Sequence, residues 1–237
     1  MIRYVTLNAF IGVYSIFFCL WGLALSLFDA TGTIVHRYCA VPWARGILRV
    51  CGIKVKVKGK SGLNPAVPRI YMVNHQSFFD IFILLAHLPV DFKFILKREL
   101  MRIPLLGPAM KGAKYIAIER DDPRKAVQSM NQAAQQIKQG ASVLIFPEGT
   151  RSRDGRLQPF KKGGFSLAVK AGCDIVPVVI RGSARIASKG SLRIQKGWVE
   201  MHIESPVRVS GRTKRDVPRI MEQVRDEMLG HMGRRDE

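Results

Sequence analysis

Ile70-Tyr71-Met72-Val73-Asn74-His75-Gln76-Ser77-Phe78-Phe79-Asp80-Ile81-Phe82-Ile83-Leu84-Leu85-Ala86-His87 reads as a buried strand, a polar turn and an apolar helix in succession. Ile70 to Val73 are apolar without alternation, which suits a strand covered on both faces. Asn74, Gln76 and Ser77 interrupt the run, and Ser77 stands where it can cap a helix from Phe78 to His87. The same grammar recurs along the chain. Apolar runs at Phe92 to Leu96, Tyr115 to Ile118, Val143 to Phe146, Ile175 to Ile180 and Val199 to Ile203 are bounded by Pro, Gly, Asn or Asp. Helical stretches lie at Arg124 to Lys138, Phe165 to Ala171 and Val217 to Leu229. Ile53, Val55 and Val57 alternate with Lys54, Lys56 and Lys58, the pattern of a half-buried or edge strand whose lysines discourage further pairing. This alternation predicts an α/β fold, a three-layer sandwich with a mixed, mostly parallel sheet flanked by helices. The α/β unit is expected at 51–237, after N-terminal helices at 1–50.

The chain has 237 residues and a net charge of +20, yet 47% of it is hydrophobic, which excludes a disordered basic tail. Such charge calls for a polyanionic partner: nucleic acid, an anionic membrane or a phosphorylated substrate. Between Arg3 and Asp29 there are 25 positions without a charge, enough helix to exceed a hydrocarbon core of about 30 Å. A signal peptide competes with a retained anchor, but the apolar run is long and Arg3 is its one preceding cation. From Asp29 to Asp80 the chain carries eight Lys/Arg and no acid in between, which places the following domain on the cytoplasmic side. Ile34 to Leu48, interleaved with His36, Arg37, Arg45 and Arg49, suits an interfacial helix broken at Pro42; whether the first segment spans the membrane or dips and returns stays open. Cys19, Cys39, Cys51 and Cys173 are scattered and read as free thiols in a reducing cytosol.

Two segments carry chemistry beyond what a fold requires. On a regular helix His75 and Asp80 would diverge, so they meet only if His75 lies on the turn and Asp80 in the first helical turn. The carboxylate would then fix one imidazole nitrogen and leave the other as a base. An Asp80 that merely complements the helix dipole fits the spacing equally well. In Phe146-Pro147-Glu148-Gly149-Thr150-Arg151-Ser152, Gly149 can expose backbone N–H groups, Thr150 and Ser152 offer hydroxyls, and Arg151 offers a bidentate fork for phosphate. Glu148 would accept from a hydroxyl or hold Arg151, and an ordinary turn is the plainer alternative.

From Ile70 to Ile180 the chain resembles the glycerolipid acyltransferase family, with four motifs in the family order. Asn74, His75 and Asp80 match the Asn-His-x4-Asp block; Lys97, Glu99, Leu100, Pro104, Gly107 and Arg120 match the second. Phe146 to Arg151 with Phe160, Lys161 and Gly163 match the third, and Val176-Pro177-Val178 the fourth. Lys114 to Glu119 depart from the Gly-rich approach to the arginine usual in the family. The resemblance implies transfer of a fatty acyl group from an acyl-CoA or acyl-carrier-protein thioester to 1-acyl-sn-glycerol-3-phosphate (lysophosphatidic acid), giving phosphatidic acid, with another lyso-lipid acceptor as the alternative. It makes His75 the base and Asp80 its orienting partner, and assigns Asn74, Lys97, Arg120, Glu148, Gly149, Thr150, Arg151 and Lys161 to substrate. It also implies a place at the cytoplasmic face of the inner membrane among phospholipids, with acyl carrier protein a possible partner.

No cofactor or metal is expected: there is no HExxH, and His36, His87, His202 and His231 lack acidic or Cys partners at ligand spacing. A covalent acyl-enzyme is the minor mechanism, because Ser77 is too near His75 in sequence and Cys173 has no neighbouring His. The non-enzymatic alternative, a membrane-tethered basic protein that binds anions such as nucleic acid, is disfavoured, since aromatics do not interleave with Arg151, Arg153, Arg156, Lys161 and Lys162.

Overall fold

A computed structural model describes residues 2–59, 63–119, 122–188 and 190–232. Its helices are α1 (Ile2–Ser26), α2 (Thr33–Val35), α3 (Val41–Cys51), α4 (Phe79–His87), α5 (Leu106–Gly112), α6 (Pro123–Lys138), α7 (Lys162–Ala171), α8 (Ser183–Ile186) and α9 (Val217–Met232). Its strands are β1 (Ile53–Lys58), β2 (Ile70–Val73), β3 (Phe92–Lys97), β4 (Ile116–Ile118), β5 (Ser142–Ile145), β6 (Ile175–Arg181) and β7 (Gly197–Ile203). They form one sheet in the order β1-β7-β6-β2-β5-β3-β4, parallel at every pairing except β6 with β7. All four residues of β2 are fully buried, as an apolar run at the centre of a covered sheet demands. Tyr71 and Val73 face a cluster formed with α3 and α4, while Ile70 and Met72 face one formed with α6, α7 and α9. At the edge, β1 points Lys54, Lys56 and Lys58 outward.

Pro177 sits inside β6, where a missing N–H would normally cost a ladder bond. Its carbonyl accepts from Glu204 N just past the end of β7, and the β6–β7 register stops at Val178 opposite Ile203. N–H and C=O of one strand residue point to the same side, so the absent donor falls where the ladder is already ending.

The N-terminal segments pack as an antiparallel pair. Trp43 Nε1 donates to Ser15 Oγ at 3.1 Å, Cys39 Sγ to Phe18 O at 3.0 Å, and a Cβ at Gly46 would collide with the Tyr14 hydroxyl. Pro42 does not break the second helix, contrary to expectation. Residues His36–Ala40 form a π-helical turn in which Val41 N reaches back to His36 O, and the Tyr38 carbonyl, which Pro42 cannot satisfy, accepts from Trp21 Nε1 at 3.3 Å. Ala44, Ile47, Leu48 and Cys51 share one apolar cluster with Tyr71, Phe82 and Val178, so side chains on both sides of residue 50 belong to the same core. α1 is long and apolar enough to cross a membrane, and Val5, Val13, Ile16, Phe17, Leu20 and Trp21 leave its outer face exposed.

His36 lies under this pair, edge-on to Phe92, with its Nδ1 3.7 Å from Asp91 Oδ1. Burial pushes its imidazole down to about 4, with Lys93 adding to the fall and Asp91 opposing it. A His whose folded value lies below its unfolded value of about 6.5 contributes stability that is complete above that pH and declines as pH falls toward 4. Thermal unfolding across that window should show this acid-side loss, and His36→Phe should flatten it; an unchanged slope in the variant would contradict the assignment.

Candidate active site

The C-terminal ends of parallel β2, β5, β3 and β4 meet along one edge, the position at which open α/β sheets gather ligands. Beyond Val73 the chain leaves β2 through Asn74 and His75, and β5 leaves through Phe146 to Arg151. Asn74 extends the pairing after the strand has ended. Its Nδ2 donates to Ile180 O at 2.9 Å and its Oδ1 accepts from Ile180 N at 2.7 Å, fastening β2 to β6. With its amide engaged by Ile180 and its surface 1% exposed, Asn74 positions the turn from within the fold.

His75 Nδ1 lies 2.8 Å from Asp80 Oδ2, so the turn and first helical turn bring the two together despite the five-residue spacing. The same oxygen accepts from Gln76 N at 2.7 Å and Ser77 N at 2.8 Å. Asp80 is fully buried, and its carboxylate therefore both orients the imidazole and holds the turn. Ser77 is not the cap it was expected to be: the N-cap of α4 is Phe78, without a side-chain cap bond, while the Ser77 hydroxyl donates to Ala187 O at 2.7 Å and lies 3.3 Å from Phe79 N. The His75 ring stacks on Phe146, with centroids 3.9 Å apart and planes at 16°. An Nδ1–H directed at Asp80 leaves the Nε2 lone pair available, and Nε2 makes no hydrogen bond among the described residues.

Glu148 fastens the backbone of the base. Its Oε1 accepts from His75 N at 2.6 Å and its Oε2 from Gln158 N at 2.8 Å. Burial raises this carboxyl above its ordinary value, against the pull of those N–H groups. Glu148 thus braces the His75 backbone, a use that neither expected contact, with a hydroxyl or with Arg151, foresaw. Ser152 N completes the hold by donating to His75 O at 2.7 Å. Phe146, Ser152 and Gln158 were not expected here; Ser152 holds His75 O and Gln158 holds Glu148, both through backbone N–H groups, which leave no trace in residue type.

Gly149 has φ 72, and a Cβ there would meet Lys161 Cε at 2.9 Å. The glycine thus permits the left-handed turn and lets the Lys161 stem lie against the loop. Lys161 N donates to Pro147 O at 2.8 Å, Thr150 is exposed, and Arg151 is half-buried immediately before the residue that binds His75 O. These groups put cations and donors on the loop that holds the His75 backbone. Lys97, at the end of β3, pairs with Glu99 at 3.3 Å, on the same sheet edge but two strands from His75. Arg120 lies outside the described residues. The two residues set aside as nucleophiles stay so placed: the Ser77 hydroxyl is buried on Ala187 O, and Cys173 precedes β6 at the opposite sheet edge, its thiol pushed up to about 11 by burial.

The histidines outside the dyad do acquire acidic partners, contrary to the sequence reading: His36 with Asp91, His202 with Glu200 at 3.3 Å, and His231 with Glu204 at 3.1 Å. For His36 and His231 the proximity came from topology, whereas Glu200 lies two residues from His202 on β7.

The family model described as Acyltransferase matches residues 54–181, a span that holds every group around His75. The chain is 40% identical over 183 residues to a chloroplastic 1-acyl-sn-glycerol-3-phosphate acyltransferase of Brassica napus, covering 76% of this chain and 53% of that one. It is 36% identical to 1-acyl-sn-glycerol-3-phosphate acyltransferase alpha of Homo sapiens, covering 75% and 63%. The chain thus spans about half to two thirds of the length of these curated relatives. Among solved structures, the 1-acyl-sn-glycerophosphate (LPA) acyltransferase PlsC of Thermotoga maritima superposes with a TM-score of 0.81 at 26% identity, over 100% of this chain and 99% of that one.

Proposed function

The chain belongs to the acyltransferase family, and we propose that it moves a fatty acyl group from a thioester to the free hydroxyl of 1-acyl-sn-glycerol-3-phosphate. The observation that carries this reading is the oriented imidazole, with Nδ1 on a buried carboxylate, Nε2 unbonded among the described residues, and the backbone held by the loop that carries Arg151. Nε2 takes the proton of the acceptor hydroxyl as that oxygen attacks the thioester carbonyl. The tetrahedral intermediate collapses with cleavage of the C–S bond, and the imidazolium returns its proton to the leaving thiolate. The products are phosphatidic acid and the free thiol of coenzyme A or acyl carrier protein. The Asp80 carboxylate stabilises the transient imidazolium.

Arg151 and Lys161, with Thr150, are assigned to the acceptor phosphate, as is Lys97 farther along the edge, and Arg120 joins them on the family motif alone. The apolar outer face of α1 supports membrane association, and the cations after Asp29 support a catalytic unit on the cytoplasmic face of the inner membrane. There the base can meet a lipid-borne acceptor and a water-borne donor together.

The phosphate assignment is tested with Arg151→Ala. A charged hydrogen-bonding contact contributes about 1.5–3 kcal/mol, so the KM for lysophosphatidic acid should rise roughly ten- to hundredfold with kcat less affected. Arg151→Lys should rescue poorly, because an ammonium lacks the planar fork. A phosphate-free monoacylglycerol should be insensitive to the change. Unaltered use of the phosphorylated acceptor by Arg151→Ala would remove the ground for choosing that acceptor.

A further inference from the structure

On the α9 side of the sheet lies a second group of side chains. In β7, Met201 and Ile203 belong to the cluster facing α3 and α4, so alternation turns His202 toward the opposite layer. His231, on the last turn of α9, meets it there with ring centroids 4.8 Å apart. Glu204, two residues beyond His202, reaches His231 Nε2 at 3.1 Å. One potential ligand atom from each of His202, Glu204 and His231 lies within 4.8 Å of the others.

We propose that His202, Glu204 and His231 form a binding site for a divalent transition-metal ion, zinc by preference, which clasps the end of α9 to β7. Two imidazoles and one carboxylate are a donor set that tetrahedral zinc accepts, with the fourth position left to water. Magnesium and calcium favour all-oxygen sites and fit it poorly. Zinc bonds of about 2.0–2.2 Å place tetrahedral ligand atoms roughly 3.3 Å apart, so the cluster must contract modestly. His231 can supply that movement, because it lies on the last turn of its helix with a side chain 29% exposed.

The surroundings are prepared for such an ion in two respects. Glu200 Oε2 lies 3.3 Å from His202 Nε2, and Glu200 is itself held by Lys58 at 2.8 Å. With Nε2 on Glu200, His202 would ligate through Nδ1, since a carboxylate on the non-ligating nitrogen is the contact that orients metal-binding histidines. Glu200 and Glu204 also offset Lys58 and Arg181, whose NH1 lies 3.7 Å from Glu200, so the cluster is locally balanced within a chain of net charge +20. The site is separate from the dyad, because His75 follows Tyr71 and Val73 off the end of β2 while His202 faces α9.

The test uses full-length detergent-solubilised protein, stripped with a chelator and titrated with zinc chloride against a chromogenic competitor. The wild type should bind one tight equivalent, and its Tm should rise with zinc concentration. Glu204→Gln and His231→Ala should each weaken binding by more than about tenfold, the loss that even an outer-shell partner typically causes. Both should lose the Tm increment while retaining acyl transfer. His75→Ala should keep the equivalent. The proposal is overturned if the wild type binds no more zinc than Glu204→Gln and His231→Ala, or if the equivalent disappears with His75; the former result would leave His231 and Glu204 a simple ion pair.

Discussion

His75→Ala is expected to lower acyl transfer by roughly 10²- to 10⁴-fold, the contribution typical of a positioned general base, while the protein remains folded. The ring contributes a stack on Phe146 and one hydrogen bond to Asp80, whereas the backbone at residue 75 is held separately by Glu148 and Ser152. Truncating the side chain leaves those backbone anchors in place. The stack lost with the ring contributes only about 0.5–1.5 kcal/mol. Initial rates with saturating thioester, read beside thermal unfolding, check both halves of the expectation. Turnover within threefold or so of wild type would mean that the acceptor hydroxyl is activated by another group.

Asp80→Ala should lose activity to a similar extent and stability as well, which separates it from His75→Ala. Its fully buried carboxylate accepts from two backbone N–H groups besides the imidazole, at Gln76 and Ser77. Orphaning buried donors costs about 1–3 kcal/mol each, so unfolding free energy should fall by about 2 kcal/mol or more. Asp80→Asn can keep an oxygen toward the three donors and should fold better than Asp80→Ala, yet it lacks the charge that stabilises an imidazolium. Because Asp80 acts on the reaction through His75, the double variant His75→Ala/Asp80→Ala should be no slower than His75→Ala alone. Multiplicative losses would show that Asp80 has a direct role of its own.

Much of this architecture is legible in local pattern. The apolar run Ile70 to Val73 is the strand observed, and the helix placed at Arg124 to Lys138 begins one residue earlier, behind an Asp122 cap that accepts from Arg124 N and Lys125 N. These elements follow from burial period and capping, which neighbouring residues determine. The π-helical turn before Pro42 was not legible, because its stability depends on Trp21 reaching Tyr38 O from another helix. Within the site, residue types marked His75 and Asp80, and the turn after β2 supplied the geometry that a regular helix would have denied. The uses of Asn74 and Glu148 were hidden for a different reason. Asn74 binds a backbone 106 positions away and Glu148 one 73 positions away, so their partners exist only once β6 and β5 lie beside β2. The gathering of His202, Glu204 and His231 likewise depends on α9 returning to β7.

The central claim is that this chain acylates a phosphorylated lyso-lipid through His75, and mass spectrometry of the products tests it most directly. Purified protein is given isotope-labelled 1-acyl-sn-glycerol-3-phosphate with acyl-CoA or acyl carrier protein thioester, and lipid and thiol products are counted in the same reaction. The account predicts one labelled phosphatidic acid for each thiol released with at least one donor, and neither above background with folded His75→Ala. Absence of acylated lipid from folded wild type with both donors, or undiminished transfer in His75→Ala, would contradict it.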